Sequence, residues 1–257
     1  MSLFYRKYGH GTRNLLILHG FLGSGDNWVS LARRFAETFT VWLPDMRNHG
    51  FSPHNSLMDY NVMADDIVGF CETNELEKVD VIGHSMGGKI AMVLALKFPY
   101  LIHNLVIVDI AAGKVQASAN HKLLFEAIRA VEIETIKNRG EIQYKLFEKL
   151  GDEKVVKLLL KNVARGVGGA YHWKINVGVL EAALPQIIGA IPCKGVYTGR
   201  TLLITGGQSH YVSEADEALL FDLFPMMTSH TIQDAGHWVH AEAPEAFHDR
   251  VFAFLQA

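Results

Sequence analysis

Apolar positions along the chain follow two alternating rhythms. Short unbroken runs, Asn14–His19, Thr40–Leu43, Val79–Ile82, Leu105–Val108 and Leu202–Thr205, are rich in Leu, Ile and Val. Runs that short and apolar at consecutive positions predict strands buried on both faces, the habit of parallel sheets. Between them, Asn27–Phe39, Asp59–Asn74 and Ser85–Phe98 carry apolar residues at helical spacing. Strand–helix alternation of this kind predicts an α/β fold with a mostly parallel, doubly wound sheet and helices on both faces. An extra strand pair is expected near Leu3–Tyr8, and Thr228–Ile232 reads as the final strand. Pro244 suits the first position of a closing helix that runs through Phe254.

One stretch breaks the rhythm. From about Ala112 to Gly199 the sequence is helical and strand-poor, for example at His121–Ile136 and Glu153–Val163. It leaves the sheet at a strand's carboxyl end, where open α/β sheets bind ligands. The expected organisation is a core of residues 1–111 and 200–257 with a helical cap inserted at 112–199. No repeat, low-complexity tract or linker marks a second independent domain.

Chemistry enters at Gly83-His84-Ser85-Met86-Gly87, a G-x-S-x-G sequence directly after the run Val79–Ile82. A serine on a turn that tight needs neighbours without side chains, so that its hydroxyl stands exposed above the sheet. The helix that follows aims its amino-terminal amides at the same spot. Ser85 is therefore the candidate nucleophile. A serine hydroxyl needs a base, and in a chain order of serine, acid, histidine the base lies on a loop after the last strand. Gly236-His237-Trp238-Val239-His240 fits that place, which makes His237 the expected base and His240 a weaker candidate. A tetrahedral intermediate also needs two backbone donors for its oxyanion. The amide of Met86, next to the serine, is one. The loop His19-Gly20-Phe21-Leu22-Gly23-Ser24 supplies the other, expected at Phe21.

The chain has 257 residues, 49% hydrophobic and 20% charged, with a formal net charge of −3. That supports one substantial core and gives no electrostatic reason to expect nucleic acid or an anionic membrane as partner. Its apolar runs fall far short of the ~20 residues that span a bilayer. Met-Ser-Leu-Phe-Tyr-Arg-Lys-Tyr has no apolar segment after its basic pair, so no secretory signal is expected. Cys71 and Cys193 form no metal or redox spacing, which fits a reduced, cytoplasmic protein. Neither a metal nor a cofactor is expected.

These motifs together resemble the α/β-hydrolases, and more narrowly the small bacterial YbfF-type esterases. The matching stretches are 19–24, Asp45-Met46-Arg47-Asn48-His49-Gly50-Phe51-Ser52, 83–89, Gly206-Gly207-Gln208-Ser209-His210-Tyr211-Val212-Ser213 and 235–242, spread over nearly the whole chain. In the cap, Trp173-Lys174-Ile175-Asn176 resembles the group's Trp-basic-apolar-Asn element. The resemblance implies cleavage of carboxylic esters or thioesters, small molecules with acyl-CoA species among them, and places Trp173 and Asn176 near the pocket. Leu22 and Trp238 join them as expected substrate-binding residues.

The acid departs from the general pattern of the fold. Most α/β-hydrolases carry it after the strand that here reads Leu202–Thr205, yet Gly206-Gly207-Gln208-Ser209-His210 holds no carboxylate. Asp109 closes Leu105–Val108, a location the fold also uses, and is the expected acid, with Glu214, Asp216 or no acid as alternatives. Asp45 and Arg47 read as a buried structural ion pair. An aspartate nucleophile, as in dehalogenases and epoxide hydrolases, is argued against by Ser85. Perhydrolase or carbon–carbon bond hydrolase chemistry keeps the serine and stays open. So does a ligand receptor with slow turnover, which an incomplete triad would favour.

Overall fold

The computed structural model describes residues 1–115 and 119–257. Its strands are β1 (Tyr5–Tyr8), β2 (Arg13–Leu18), β3 (Phe39–Pro44), β4 (Val79–His84), β5 (Ile102–Val108), β6 (Val163–Arg165), β7 (Tyr171–Trp173), β8 (Thr201–Gly206) and β9 (Met227–Ile232). Among the described residues a 7-stranded sheet has the order β1-β3-β2-β4-β5-β8-β9. It is parallel throughout except for β1, which runs antiparallel to β3. The helices are α1 (Val29–Phe35), α2 (Tyr60–Thr73), α3 (Met86–Lys97), α4 (Ala119–Ala130), α5 (Arg139–Leu150), α6 (Glu153–Leu160), α7 (Val177–Ala182), α8 (Leu184–Ile188), α9 (Glu214–Leu223), α10 (Val239–Glu242) and α11 (Pro244–Gln256).

The alternation of side chains along each strand divides the core in two. Leu15, Ile17, Val41 and Leu43 pack with Phe35 of α1 and Phe247 of α11 on one face. Leu16, Leu18, Trp42 and Val81 pack with Ile67 of α2 and Ile90 of α3 on the other. Each fully buried aliphatic side chain contributes about 1.5–3 kcal/mol, so a register slip of one residue would exchange the two cores and is strongly disfavoured.

Several boundaries differ from the sequence reading. The stretch expected as a helix from Asn27 to Phe39 is a single turn at Gly25–Asn27 followed by α1, and Phe39 already belongs to β3, paired with Arg13. Aromatic and β-branched residues at 38–41 favour the strand. The chain opens with one strand where a pair was expected, because β1 docks on β3. Between His121 and Ile136, α4 ends at Ala130 and a separate turn covers Ile133–Thr135. The strand-poor stretch also holds a small hairpin, β6 with β7.

The segment between β5 and β8 carries α4 to α8 and that hairpin. Its two ends run side by side, with Val115 N–H donating to Ile188 O at 2.8 Å and Ile191 N–H to Ala112 O at 2.9 Å. Phe125, Ile128, Ile142, Leu146 and Leu159 of this segment join the same apolar cluster as α2 and α3. It therefore shares a core with the sheet. Residues 116–118, inside the stretch expected as a cap, lie outside the described residues.

Candidate active site

Strand ends build the site. Parallel strands deliver their carboxyl ends to one edge of the sheet, and the loops after β2, β4, β5, β8 and β9 carry the residues singled out by their motifs. Ser85 sits between β4 and α3 at φ 53 and ψ −117, a conformation that costs a non-glycine residue of order 1–3 kcal/mol. Its amide donates to Val108 O of the neighbouring β5 at 3.1 Å. The glycines of the motif have a direct reason here. A Cβ on Gly83 would lie 2.3 Å from Gly87 O, and one on Gly87 would lie 2.2 Å from Leu18 O. Helix α3 can therefore press against β2 and β4, which holds the serine turn tight.

Asp109 ends β5 at φ 49 and is fully buried. Its carboxylate accepts three hydrogen bonds: from Gly206 N–H at 3.1 Å, from Ser209 Oγ at 2.5 Å and from His237 Nδ1 at 2.7 Å. Nδ1 of His237 is thereby the protonated nitrogen, and Nε2 is the free one. Tyr211 stacks on the His237 ring with centroids 3.6 Å apart and planes 13° from parallel. Glu214 and Asp216, the alternative acids, occupy the first turn of α9, where Asp216 forms a capping box with Ser213. The stretch after Thr205, which lacks a carboxylate, contributes the Gly206 amide and the Ser209 hydroxyl that hold Asp109 in place.

The loop 19–24, expected to supply an oxyanion donor, is braced by two buried histidines. His19 accepts from Met46 N–H on Nε2 and donates from Nδ1 to Gly20 O, both at 2.9 Å. His49 accepts from Leu22 N–H on Nε2 at 3.2 Å and donates from Nδ1 to Arg47 O at 2.9 Å. Each ring uses one donor and one acceptor, the pattern of neutral imidazole. Burial pushes His19 down to about 4 and His49 to about 3, with His19 nearby adding to the effect on His49. Leu22 adopts φ 57, and its carbonyl accepts from Asn162 Nδ2 at 2.7 Å. The Leu22 amide is committed to His49, whereas no hydrogen bond is recorded from the amides of Phe21 and Met86 among the described residues.

A second pair of histidines backs the base. His84 Nε2 donates to His237 O at 2.9 Å, and its ring lies 4.7 Å from those of both His237 and His240. His240 stacks on Trp28 at 4.0 Å. Burial holds His84 well below the usual histidine range and His240 at about 3, with neighbouring histidines adding to both shifts. An imidazolium on His237 would consequently meet two neutral rings.

Ser85 and His237 line one cavity of about 390 Å³. Phe21, Leu22, Trp238 and His240 border it from the core, and Leu124 and Val155 from the inserted segment. Trp173 and Asn176, expected near the pocket, do not line it. Trp173 borders a separate cleft beside Val131 and Ile133. Asn176 caps α7, and its amide and side chain both bind Asn48. That makes the Trp-basic-apolar-Asn element an anchor of the inserted segment on the 45–52 loop. The expected Asp45–Arg47 pair is also corrected. Arg47 binds Asp66 of α2 through Nε at 2.6 Å and Nη2 at 2.8 Å, whereas Asp45 accepts from the Gly25 and Phe51 amides. The two side chains therefore hold different parts of the chain, Arg47 the helix α2 and Asp45 the backbone at Gly25 and Phe51.

Sequence reasoning missed Ser209, Tyr211, His84 and Asn162. Ser209 and Tyr211 stood within a motif already recognised, but only the approach of β5 to β8 gives them a task. Among the described residues no group of three or more His, Cys, Asp or Glu could hold a metal ion, and no helix is long and apolar enough to cross a membrane.

A family model described as "alpha/beta hydrolase fold" matches residues 13–244. The chain belongs to the α/β-hydrolase family. Among similar hydrolases, it is 37% identical over 239 residues to the esterase YbfF of Escherichia coli (strain K12), covering 92% of this chain and 91% of that protein. It is 35% identical over 252 residues to the sn-1-specific diacylglycerol lipase ABHD11 of Mus musculus, covering 94% and 80%. A solved structure of a marine microorganism esterase superposes with a TM-score of 0.96 at 38% identity, covering 98% of this chain and 99% of that one. These relatives support a hydrolase of the esterase and lipase type.

Proposed function

We propose that this hydrolase is a serine carboxylesterase and thioesterase that works through an acyl-enzyme on short- to medium-chain acyl substrates, acyl-CoA thioesters among the candidates. The observation that carries the reading is the 2.7 Å hydrogen bond from His237 Nδ1 to Asp109, at the rim of the cavity that also holds Ser85 in its strained turn. A carboxylate on Nδ1 orients the ring, leaves Nε2 free to take the serine proton and stabilises the imidazolium that results. The neutral state of His84 and His240 supports the same role, since a second positive charge there would oppose that imidazolium.

In this mechanism the substrate carbonyl oxygen lies against the Phe21 and Met86 amides. Ser85 Oγ attacks the carbonyl carbon as its proton passes to His237 Nε2. The tetrahedral intermediate collapses, the bond to the leaving oxygen or sulfur breaks, and His237 gives the proton to that leaving group. Water then repeats the sequence on the acyl-enzyme and frees the acid. No cofactor is needed, and the protein acts in the cytoplasm. Residues 112–199 serve as the cap, whose Leu124 and Val155 shape the acyl site. A receptor of slow turnover drew its case from a missing acid, and the hydrogen bond from His237 Nδ1 to Asp109 supports the enzyme reading instead.

Hydrolysis of p-nitrophenyl esters from acetate to long acyl chains, by wild type and Ser85→Ala in parallel, tests the reading. Turnover in wild type that vanishes in a variant of unchanged melting temperature is expected. Turnover that survives in Ser85→Ala, or is absent on esters and thioesters alike, overturns it.

A further inference from the structure

Lys89 is the last residue of the serine motif, and the triad gives it nothing to do. It lies one helical turn beyond Ser85, its amide bound to Ser85 O, and its side chain is fully buried. An ammonium group taken out of water costs several kcal/mol unless charge and hydrogen bonds offset it. No carboxylate among the described residues forms an ion pair with it. Its partners are two backbone carbonyls, Gly113 O at 2.7 Å and Gly189 O at 2.5 Å, with the Tyr60 ring centroid 5.8 Å away. Asp216 is the acidic group that faces it, too far for a hydrogen bond, and burial still pushes the lysine down to about 8.

The two carbonyls define what this residue touches. Gly113 and Gly189 stand on the two strands of chain through which residues 112–199 leave and rejoin the core. Val115 and Ile188, and Ile191 and Ala112, hold those strands to each other. Tyr60 Oη adds a bond to Ile187 O at 2.6 Å from the start of α2. Among the described residues, both hydrogen bonds of the Lys89 ammonium thus run from the helix that carries Ser85 to the stem of the cap. A methionine of the same length would fill the space without the cost of burial.

We infer that Lys89 is a positioning residue whose side chain ties both strands of the cap's stem to the Ser85 helix and so fixes the seat of the cap over the acyl cavity. The effect on substrate selectivity rests on the serine-esterase reading, but the tie itself does not.

Hydrogen exchange followed by mass spectrometry on the full chain, wild type against Lys89→Met, tests the tie directly. Exchange at the amides of 112–115 and 187–191 is expected to rise roughly tenfold or more, as local opening without global unfolding requires. The central strands β4 and β5 should keep their protection. In parallel, KM for medium-chain p-nitrophenyl esters should rise while kcat stays within about twofold, the split expected when ground-state binding alone is lost. Unchanged exchange at the stem, or faster exchange throughout the chain, overturns the tie. A loosened stem with an unaltered chain-length profile overturns its effect on the cavity. Lys89→Gln, whose uncharged amide keeps N–H donors on a shorter side chain and should fall between the two, serves if the methionine variant does not fold. If wild type hydrolyses no ester, the serine-esterase reading fails, and the exchange data still decide the tie.

Discussion

Asp109 gathers three hydrogen-bond donors on one buried carboxylate. Its two oxygens accept from the Gly206 amide, the Ser209 hydroxyl and His237 Nδ1, so each donor has a negative partner and the histidine ring has one orientation. Asparagine would keep the shape and lose that order. Its amide must donate as well as accept, which favours the wrong tautomer of His237. Replacing Asp109 with Asn should therefore lower kcat by roughly 10⁴-fold, as the equivalent change does in serine proteases, with the melting temperature little altered. Steady-state kinetics on the best p-nitrophenyl ester measures this, and a loss below about tenfold would assign orientation of the base to another group. The residue itself was legible because a carboxylate at the end of an apolar strand needs a partner. Ser209 and Tyr211 were not legible in these roles, since nothing local links them to a residue a hundred positions away.

Between elements, the loop after β3 does more than connect. Arg47 reaches α2 and binds Asp66 with two nitrogens, and it also donates to Leu57 O at 2.9 Å and Val62 O at 3.3 Å. The same loop carries His49, which holds the Leu22 amide, and Asn48, which receives Asn176 from the inserted segment. The arginine thus fixes a platform shared by the loop that carries Phe21 and Leu22 and by the inserted segment. Removing the arginine takes two hydrogen bonds from the buried Asp66 and, among the described residues, leaves it only the Met1 ammonium, 3.4 Å away, as a charge partner. Arg47→Met should cost about 3–5 kcal/mol of stability, read as a lower urea midpoint, and should also reduce kcat through the displaced Phe21 loop. A shift of less than about 1 kcal/mol would show that Asp66 finds another partner or reaches water. A pair at Asp45 and Arg47 was expected because the residues are close in sequence. Arg47 is drawn instead to the buried carboxylate of Asp66 on α2, and Asp45 to the amides of Gly25 and Phe51, partners that closeness in sequence does not reveal.

The whole molecule holds four buried histidines in the neutral state around its site. His19, His49 and His240 fall to about 4, about 3 and about 3, from an ordinary value of 6.5, and His84 moves the same way. In the unfolded chain all four take up protons as pH drops through 6.5, while the folded chain refuses them. The stability that neutral rings contribute is fully present above pH 6.5 and lost as pH falls toward 4. The loss runs at up to about 1.4 kcal/mol per pH unit for each ring. The melting temperature should accordingly hold steady from pH 8 to 7 and drop steeply between 6.5 and 5. His240→Phe, which keeps a ring against Trp28, should make that drop shallower. Thermal denaturation followed by circular dichroism across this range is the check, and a flat profile down to pH 5 would mean that these rings are charged or exposed.

What the sequence alone determined is local or periodic. The alternating runs specified a mostly parallel sheet with helices on both faces, because short runs apolar at every position suit strands covered on both faces. The serine turn was legible because two glycines must flank it, and the histidine because its loop follows the last strand. What only the tertiary structure decided is which distant groups meet. Five strand ends at one edge bring Asp109 to His237 across residues that share no local pattern. Asn176 binds the 45–52 loop in place of the cavity, and Lys89 reaches Gly113 and Gly189 on the two adjoining stretches of the inserted segment. Such contacts arise from the register and order of the strands, and no short-range pattern encodes them.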